Sequence, residues 1–191
     1  MAAEDFDGQA VLVGAIDDAV ALGDPEAITH QLRSSLSELI GSGRVRLPEA
    51  VFTPLPDRYA RRLLHQSPRY GYSVIAMTWG PGQGTLIHDH DGLWCVEGVW
   101  SGRLEITPYD LLEADGERMR FAAQPVIHAG CGSTGSLIPP FEYHTIRNPD
   151  EREASVTVHV YSQAMNRCAV FEPAEPGWHR RRHRSLSLEP A

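Results

Sequence analysis

His88 and His90 stand two residues apart at the end of a strand-like run, a spacing that puts both imidazoles on one face of a strand. His144 lies on another strand-like run, just past Pro139-Pro140. Neutral imidazoles converging from two strands make a metal site, suited to Fe, Zn, Cu or Ni. A second constellation, Thr157, His159 and Tyr161, again has a spacing of two and therefore one face. There His159 is expected to hydrogen-bond the Tyr161 hydroxyl, with Thr157 orienting the ring from its other side.

The elements that must position these residues change character along the chain. Ala10 to Leu22 carries apolar residues at helical spacing, and Gly23 stops it. Asp24-Pro25-Glu26 reads as N-cap, first-turn proline and first-turn acid of a second helix, running to about Ile40 and ended by Gly41-Ser42-Gly43. Pro54 to His65 predicts a third helix, capped by Asp57, with Tyr59, Leu63 and Leu64 as its apolar stripe. From Tyr72 on, short apolar runs follow: Tyr72–Trp79, Thr85–His88, Leu93–Trp100, Arg103–Tyr109, Arg118–Phe121, Val126–Ala129, Ser136–Ile138, His144–Arg147, Ser155–Tyr161 and Cys168–Phe171. Gly, Pro, Asn and Asp separate them, which predicts a mainly β sandwich or barrel. The chain thus divides into a helical segment at 1–53, a β core at 54–175 and a basic tail at 176–191. The tail holds the cluster His179-Arg180-Arg181-Arg182-His183-Arg184, expected to be a solvated or frayed terminus.

Composition narrows the function. The chain has 191 residues and a net charge of −8, which argues against a nucleic-acid partner. All 17 basic residues are Arg, so Schiff-base, pyridoxal-lysine and P-loop chemistry are excluded. Three Cys make no disulfide framework. Met1 to Gly8 is acidic and lacks the layout of a secretory signal, and no apolar run reaches membrane-spanning length. The expectation is a cytoplasmic protein with reduced thiols and no membrane partner.

The histidine surroundings resemble the two cupin motifs. Gly82, His88, His90 and Gly102 fall at the first motif's positions, with Cys95 in its Glu slot; Pro139, His144 and Asn148 fit the second, where Phe141 replaces a Gly. The resemblance implies a small double-stranded jelly-roll barrel with the N-terminal helices packed on one side. Three neutral ligands without the Glu leave a divalent metal its full charge, which favours an anionic ligand such as a thiolate. Glu97 is too far along from His90 for the Glu slot and reads as structural.

Within the cupins the residues resemble the cysteine dioxygenase family, over roughly Pro54 to Phe171. The run His88-Asp89-His90, Cys95, Gly102, Leu104, Glu105, Thr107 matches, as does the run from His144 through Thr157, His159, Tyr161 and Ser162. The resemblance implies Fe(II) on His88, His90 and His144, a thioether between Cys95 and Tyr161, and a relay of Thr157, His159 and Tyr161 with Thr in place of Ser. It also implies a carboxylate-binding Arg61 in Tyr59-Ala60-Arg61, with Tyr59 lining the pocket and a helix supplying Arg61. The substrates implied are a small carboxylated thiol and O2, with a sulfinic acid as product. Cys95 and Arg61 favour cysteine. Ser162-Gln163-Ala164 departs from the Ser-Pro-Pro of relatives acting on cysteine, and Arg167 is a second possible anchor, so 3-mercaptopropionate and mercaptosuccinate stay open. Arg62 replaces Arg61 if the register is off by one. Cys168 reads as a buried structural thiol and Cys131 as a turn residue. A reading of another class is a non-catalytic metal-binding cupin that senses a small ligand.

Overall fold

The computed structural model describes residues 5–190; residues 1–4 of the acidic N-terminal segment and the last residue of the 176–191 tail lie outside them. Two helices lead, α1 (Gln9–Val20) and α2 (Pro25–Ser42). The Asp24 carboxylate caps α2 by accepting from the Ala27 N–H at 2.9 Å, and Gly43 closes it with φ 66°. A short 3-10 turn, Glu49–Phe52, follows.

The expected third helix over 54–65 is not there. Ala60–Gln66 is instead the first strand, β1, antiparallel to β2 (Ser73–Trp79). Its run of short apolar and long basic residues suits either period, and the ladder with β2 decides it. Ala60, Arg62 and Leu64 turn toward one side of the sheet and Arg61 and Leu63 toward the other.

Ten further strands follow: β3 (Ile87–His88), β4 (Cys95–Ser101), β5 (Arg103–Asp115), β6 (Arg118–Ala123), β7 (Ile127–Gly130), β8 (Thr134–Leu137), β9 (His144–Arg147), β10 (Ser155–Tyr161), β11 (Arg167–Pro173) and β12 (His179–Ser185). They form two antiparallel sheets, ordered β1-β2-β10-β4-β8 and β6-β12-β11-β3-β9-β5-β7. The basic cluster of the tail is therefore no frayed end: β12 pairs along its whole length with β11, from Arg167↔Ser185 to Pro173↔His179.

β2 and β10 are buried at every position because both of their faces are covered. Val74, Ala76, Val158 and Val160 pack outward on Leu12, Leu32 and Leu36 of the two helices. Each such leucine contributes about 1.5–3 kcal/mol by leaving water. Ile75, Met77, Trp79, Thr157, His159 and Tyr161 alternate inward, between the sheets. The helices thus free the opposite face of the smaller sheet to carry polar chemistry inside the barrel.

Two motif residues have backbone reasons. Gly102 turns β4 into β5 at φ 78°, and a Cβ there would lie 2.4 Å from the Ser155 hydroxyl oxygen. Asn148 donates from Nδ2 to the carbonyls of Trp79 (3.0 Å), Gly80 (3.2 Å) and Glu153 (2.8 Å), stapling the loop after β9 to the end of β2.

Candidate metal centre

His88 at the end of β3 and His144 at the start of β9 are direct partners across the antiparallel ladder, and His90 follows in the loop beyond β3. Ring centroids are 4.6 Å apart for His88–His144, 5.1 Å for His90–His144 and 5.2 Å for His88–His90. One nitrogen from each lies within 4.8 Å of the others. Nδ1 of His88 is engaged with the Leu86 carbonyl at 3.1 Å, which leaves its Nε2 for a ligand. Nδ1 of His90 and both ring nitrogens of His144 are buried without a hydrogen-bond partner. Orphaned buried imidazole nitrogens are costly. One nitrogen from each of the three rings converging fits a divalent metal, which would take up a ring nitrogen of His88, His90 and His144 together. Burial, then the neighbouring imidazoles, pushes His88 down to about 3 and His144 well below the usual histidine range, so both are neutral and ligand-ready.

Supports that sequence reading missed hold this triad. The Glu142 carboxylate accepts from the His90 backbone N–H at 2.7 Å and lies 3.4 Å from its Nδ1. Asp89, between the first two histidines, turns away: its Oδ1 accepts from the Ala169 N–H at 2.7 Å, and its Oδ2 lies 3.6 Å from Nη2 of Arg181 on β12.

β10 lies between β2 and β4, and its register brings Tyr161 opposite Cys95 and His159 opposite Glu97. Opposite residues in an antiparallel pair share a face, so all four side chains point into the barrel. The Trp79 indole donates to the Thr157 hydroxyl at 2.9 Å, and that hydroxyl pairs with His159 Nε2 at 2.8 Å. The expected hydrogen bond from His159 to the Tyr161 hydroxyl is absent. Nε2 is taken by Thr157, and Nδ1 faces Glu97 Oε2 at 3.5 Å and Cys95 Sγ at 3.9 Å. His159 and Tyr161 stack instead, centroids 5.9 Å apart and planes 13° from parallel. The Tyr161 hydroxyl lies 4.0 Å from the Met77 sulfur. Burial pushes the Cys95 thiol and the Tyr161 phenol up, lifts Glu97 to about 7 and drops His159 to about 3. Glu97, read from the sequence as structural, is thus buried beside His159 and Cys95, with no hydrogen bond to its Oε2.

The arginines separate cleanly. Arg61 is buried on β1 and reaches the pocket that also contains the three histidines, Tyr161 and Tyr59. It is supplied by a strand rather than by a helix. Its Nη2 donates to the Met165 carbonyl at 3.1 Å and Nη1 to the Ser187 carbonyl at 3.4 Å. Tyr59 packs on Trp79 with centroids 4.8 Å apart. Arg62 points to the other face and donates to Thr53 O (2.9 Å), Thr78 Oγ1 (3.1 Å) and Pro190 O (3.2 Å), away from the histidines. Arg167 is exposed and paired with Asp91 at 2.8 Å, outside the pocket. Cys168 lines the pocket, its thiol pushed up to about 11 by burial; Cys131 is exposed in a turn.

A two-sheet β barrel with an interior three-histidine site defines the class: a cupin, or double-stranded β-helix, with a site fit for a non-haem metal. Its chain matches the cysteine dioxygenase type I family over residues 50–174 and belongs to that family. It is 26% identical over 116 residues to cysteine dioxygenase type 1 of Rattus norvegicus, covering 60% of this chain and 56% of that one. The same figures hold for the protein of that name from Homo sapiens. The match thus spans little more than half the length of these curated relatives. Among solved structures, a protein with a double-stranded β-helix domain from Klebsiella pneumoniae is similar at 19% identity and TM-score 0.46, over 63% of this chain and 85% of that one. No helix among the described residues is long and apolar enough to cross a membrane.

Proposed function

We propose that this protein is a non-haem Fe(II) thiol dioxygenase that oxidises a small carboxylated thiol, L-cysteine foremost, to its sulfinic acid. The reaction balances as a thiolate and one O2 giving one sulfinate, both oxygen atoms ending on sulfur as sulfur loses four electrons. The observation that carries the reading is Arg61. A buried guanidinium, held on two backbone carbonyls and without a carboxylate partner among the described residues, opens into the same pocket as the three converging histidines and Tyr161.

His88, His90 and His144 would hold the metal, and ferrous iron there would draw the thiolate and dioxygen together and let electrons pass between them. Arg61 grips the substrate carboxylate through its fork of donors. Tyr161 presents its hydroxyl to the bound substrate, neutral because burial holds the phenol protonated. Thr157 and Trp79 fix the His159 ring, on whose plane Tyr161 stacks. Met77, Trp79, Ile146 and Met165 supply the apolar part of the pocket wall. Arg167, tied to Asp91, leaves carboxylate binding to Arg61, which favours cysteine over 3-mercaptopropionate.

Oxygen uptake by the Fe(II)-loaded protein with cysteine, 3-mercaptopropionate, cysteamine and mercaptosuccinate tests the reading, with the product identified by mass. One sulfinate formed per O2 consumed is expected with the carboxylated thiols, and little with cysteamine, which lacks a carboxylate. No uptake with any thiol from protein that retains iron would overturn it in favour of a binding cupin.

A further inference from the structure

The strand β12 lies beyond the residues matched by the family, 50–174, yet Leu186, directly after it, lines the histidine pocket. Arg184 stands opposite Cys168 in the β11–β12 ladder, so the two side chains leave the sheet on the same face. Cys168 lines the histidine pocket. Two residues on from Arg184, Leu186 also lines that pocket, its backbone fixed to the Asn166 carbonyl at 2.8 Å.

Outside the pocket lies a shallow hollow formed by Arg58, Tyr59, Arg61, Arg184, Leu186 and Glu189. It shares Tyr59, Arg61 and Leu186 with the pocket, so the two are continuous. The only acid of the hollow, Glu189, is engaged with Arg58 at 2.9 Å. Among the described residues neither Arg61 nor Arg184 forms an ion pair, and Arg61 rests on neutral carbonyls. Two uncompensated guanidinium groups therefore flank one opening. Burial raises the Tyr59 phenol and the Cys168 thiol, and the Arg184 charge pulls both back, so its field reaches the pocket wall. Such a pair of cations repels itself until an anion enters between them.

We propose that Arg184 binds a second anionic group on the substrate, so that beside cysteine the site also accepts thiols carrying two carboxylates, with Arg61 on one and Arg184 on the other. This rests on the thiol dioxygenase reading above. Arg184 is exposed, so a guanidinium there is free to swing onto a carboxylate in the hollow and to close over it.

The probes are mercaptosuccinate and 3-mercaptopropionate, thiols that differ by one carboxylate. In the iron-loaded protein the ratio of their kcat/KM values should fall about tenfold in Arg184→Gln, the scale of one hydrogen bond to a charged group, and recover in part in Arg184→Lys. A ratio within twofold of the parent's in Arg184→Gln overturns the proposal. Calorimetry with succinate and propionate, which differ in the same way and undergo no oxidation, asks the same question without turnover. Succinate should bind the parent protein more tightly than propionate, and the advantage should vanish in Arg184→Gln; equal binding of both to the parent overturns the proposal. Selective succinate binding in a protein that oxidises no thiol would leave the anion site standing and sink the dioxygenase reading alone.

Discussion

Tyr161 and Cys95 are direct partners across the β10–β4 ladder, both buried and both turned into the barrel. Non-neighbours in sequence, they are set side by side by register alone. A thioether between them would form as the S–H and a ring C–H are lost and dioxygen takes the two protons and two electrons. The intact mass of protein isolated in air should then show a fraction about 2 Da lighter, on the bond arithmetic of thiol oxidation. Tyr161→Phe should abolish that fraction, keep the metal and slow turnover about tenfold, as for one lost positioned hydrogen bond. Full activity in that variant would remove Tyr161 from the mechanism.

Arg61 and Arg62 are adjacent but face opposite ways, so their losses should read out differently. Arg61→Ala should raise the thiol KM at least about tenfold, as expected for a lost hydrogen-bonded charge pair, with metal content unchanged. Arg62→Ala should instead lower the melting temperature, because it frees the Thr53 and Pro190 carbonyls and the Thr78 hydroxyl from one buried donor. A KM effect from Arg62 and none from Arg61 would reverse the assignment.

Glu97 gives a pH dependence whose sign is fixed by burial. Its carboxyl is raised from 4.5 to about 7 in the fold, so the native protein holds a proton that the unfolded chain has lost between those values. The Glu97 contribution is therefore least harmful below pH about 4.5 and worsens as pH rises toward about 7. In the metal-free protein, the stability of Glu97→Gln minus that of the parent should grow across this window by an amount on the order of 3 kcal/mol, then level off. Taking the difference cancels the opposite slope of the buried histidines. A flat difference from pH 4 to pH 8, followed by urea titration at each pH, would show that Glu97 ionises freely.

The partnerless nitrogens of His90 and His144 make metal removal a stability experiment. Ligand held at a hundred times its dissociation constant stabilises by about 2.7 kcal/mol, which for a chain of this size is on the order of 5–10 °C. Chelation should lower the melting temperature by that much, and His144→Ala should melt low with or without metal. Identical melting curves for loaded and chelated protein would mean that the triad holds no ion.

Much of this was legible in the chain itself. The two-residue spacings of His88/His90 and of Thr157/His159/Tyr161 assign a shared face wherever a strand forms, because the strand period is two. Asp24, Pro25 and Gly43 mark a helix by local backbone chemistry. These are short-range relations, and short-range relations survive in a sequence. What failed was of another kind. Arg61 was expected on a helix, since a short run of Ala, Arg and Leu suits both periods and only the β2 ladder chooses between them. His159 was expected to hydrogen-bond Tyr161, but the Trp79–Thr157 pair holds the ring by its other nitrogen. Glu97, Glu142 and Arg184 gave no sign of nearing the site because their partners lie on other strands or loops. The sequence by itself determined the histidine triad, the shared face of Thr157, His159 and Tyr161 and the β architecture; the cross-strand register decided which charges, thiols and rings surround them, because antiparallel pairing joins residues that the chain keeps far apart.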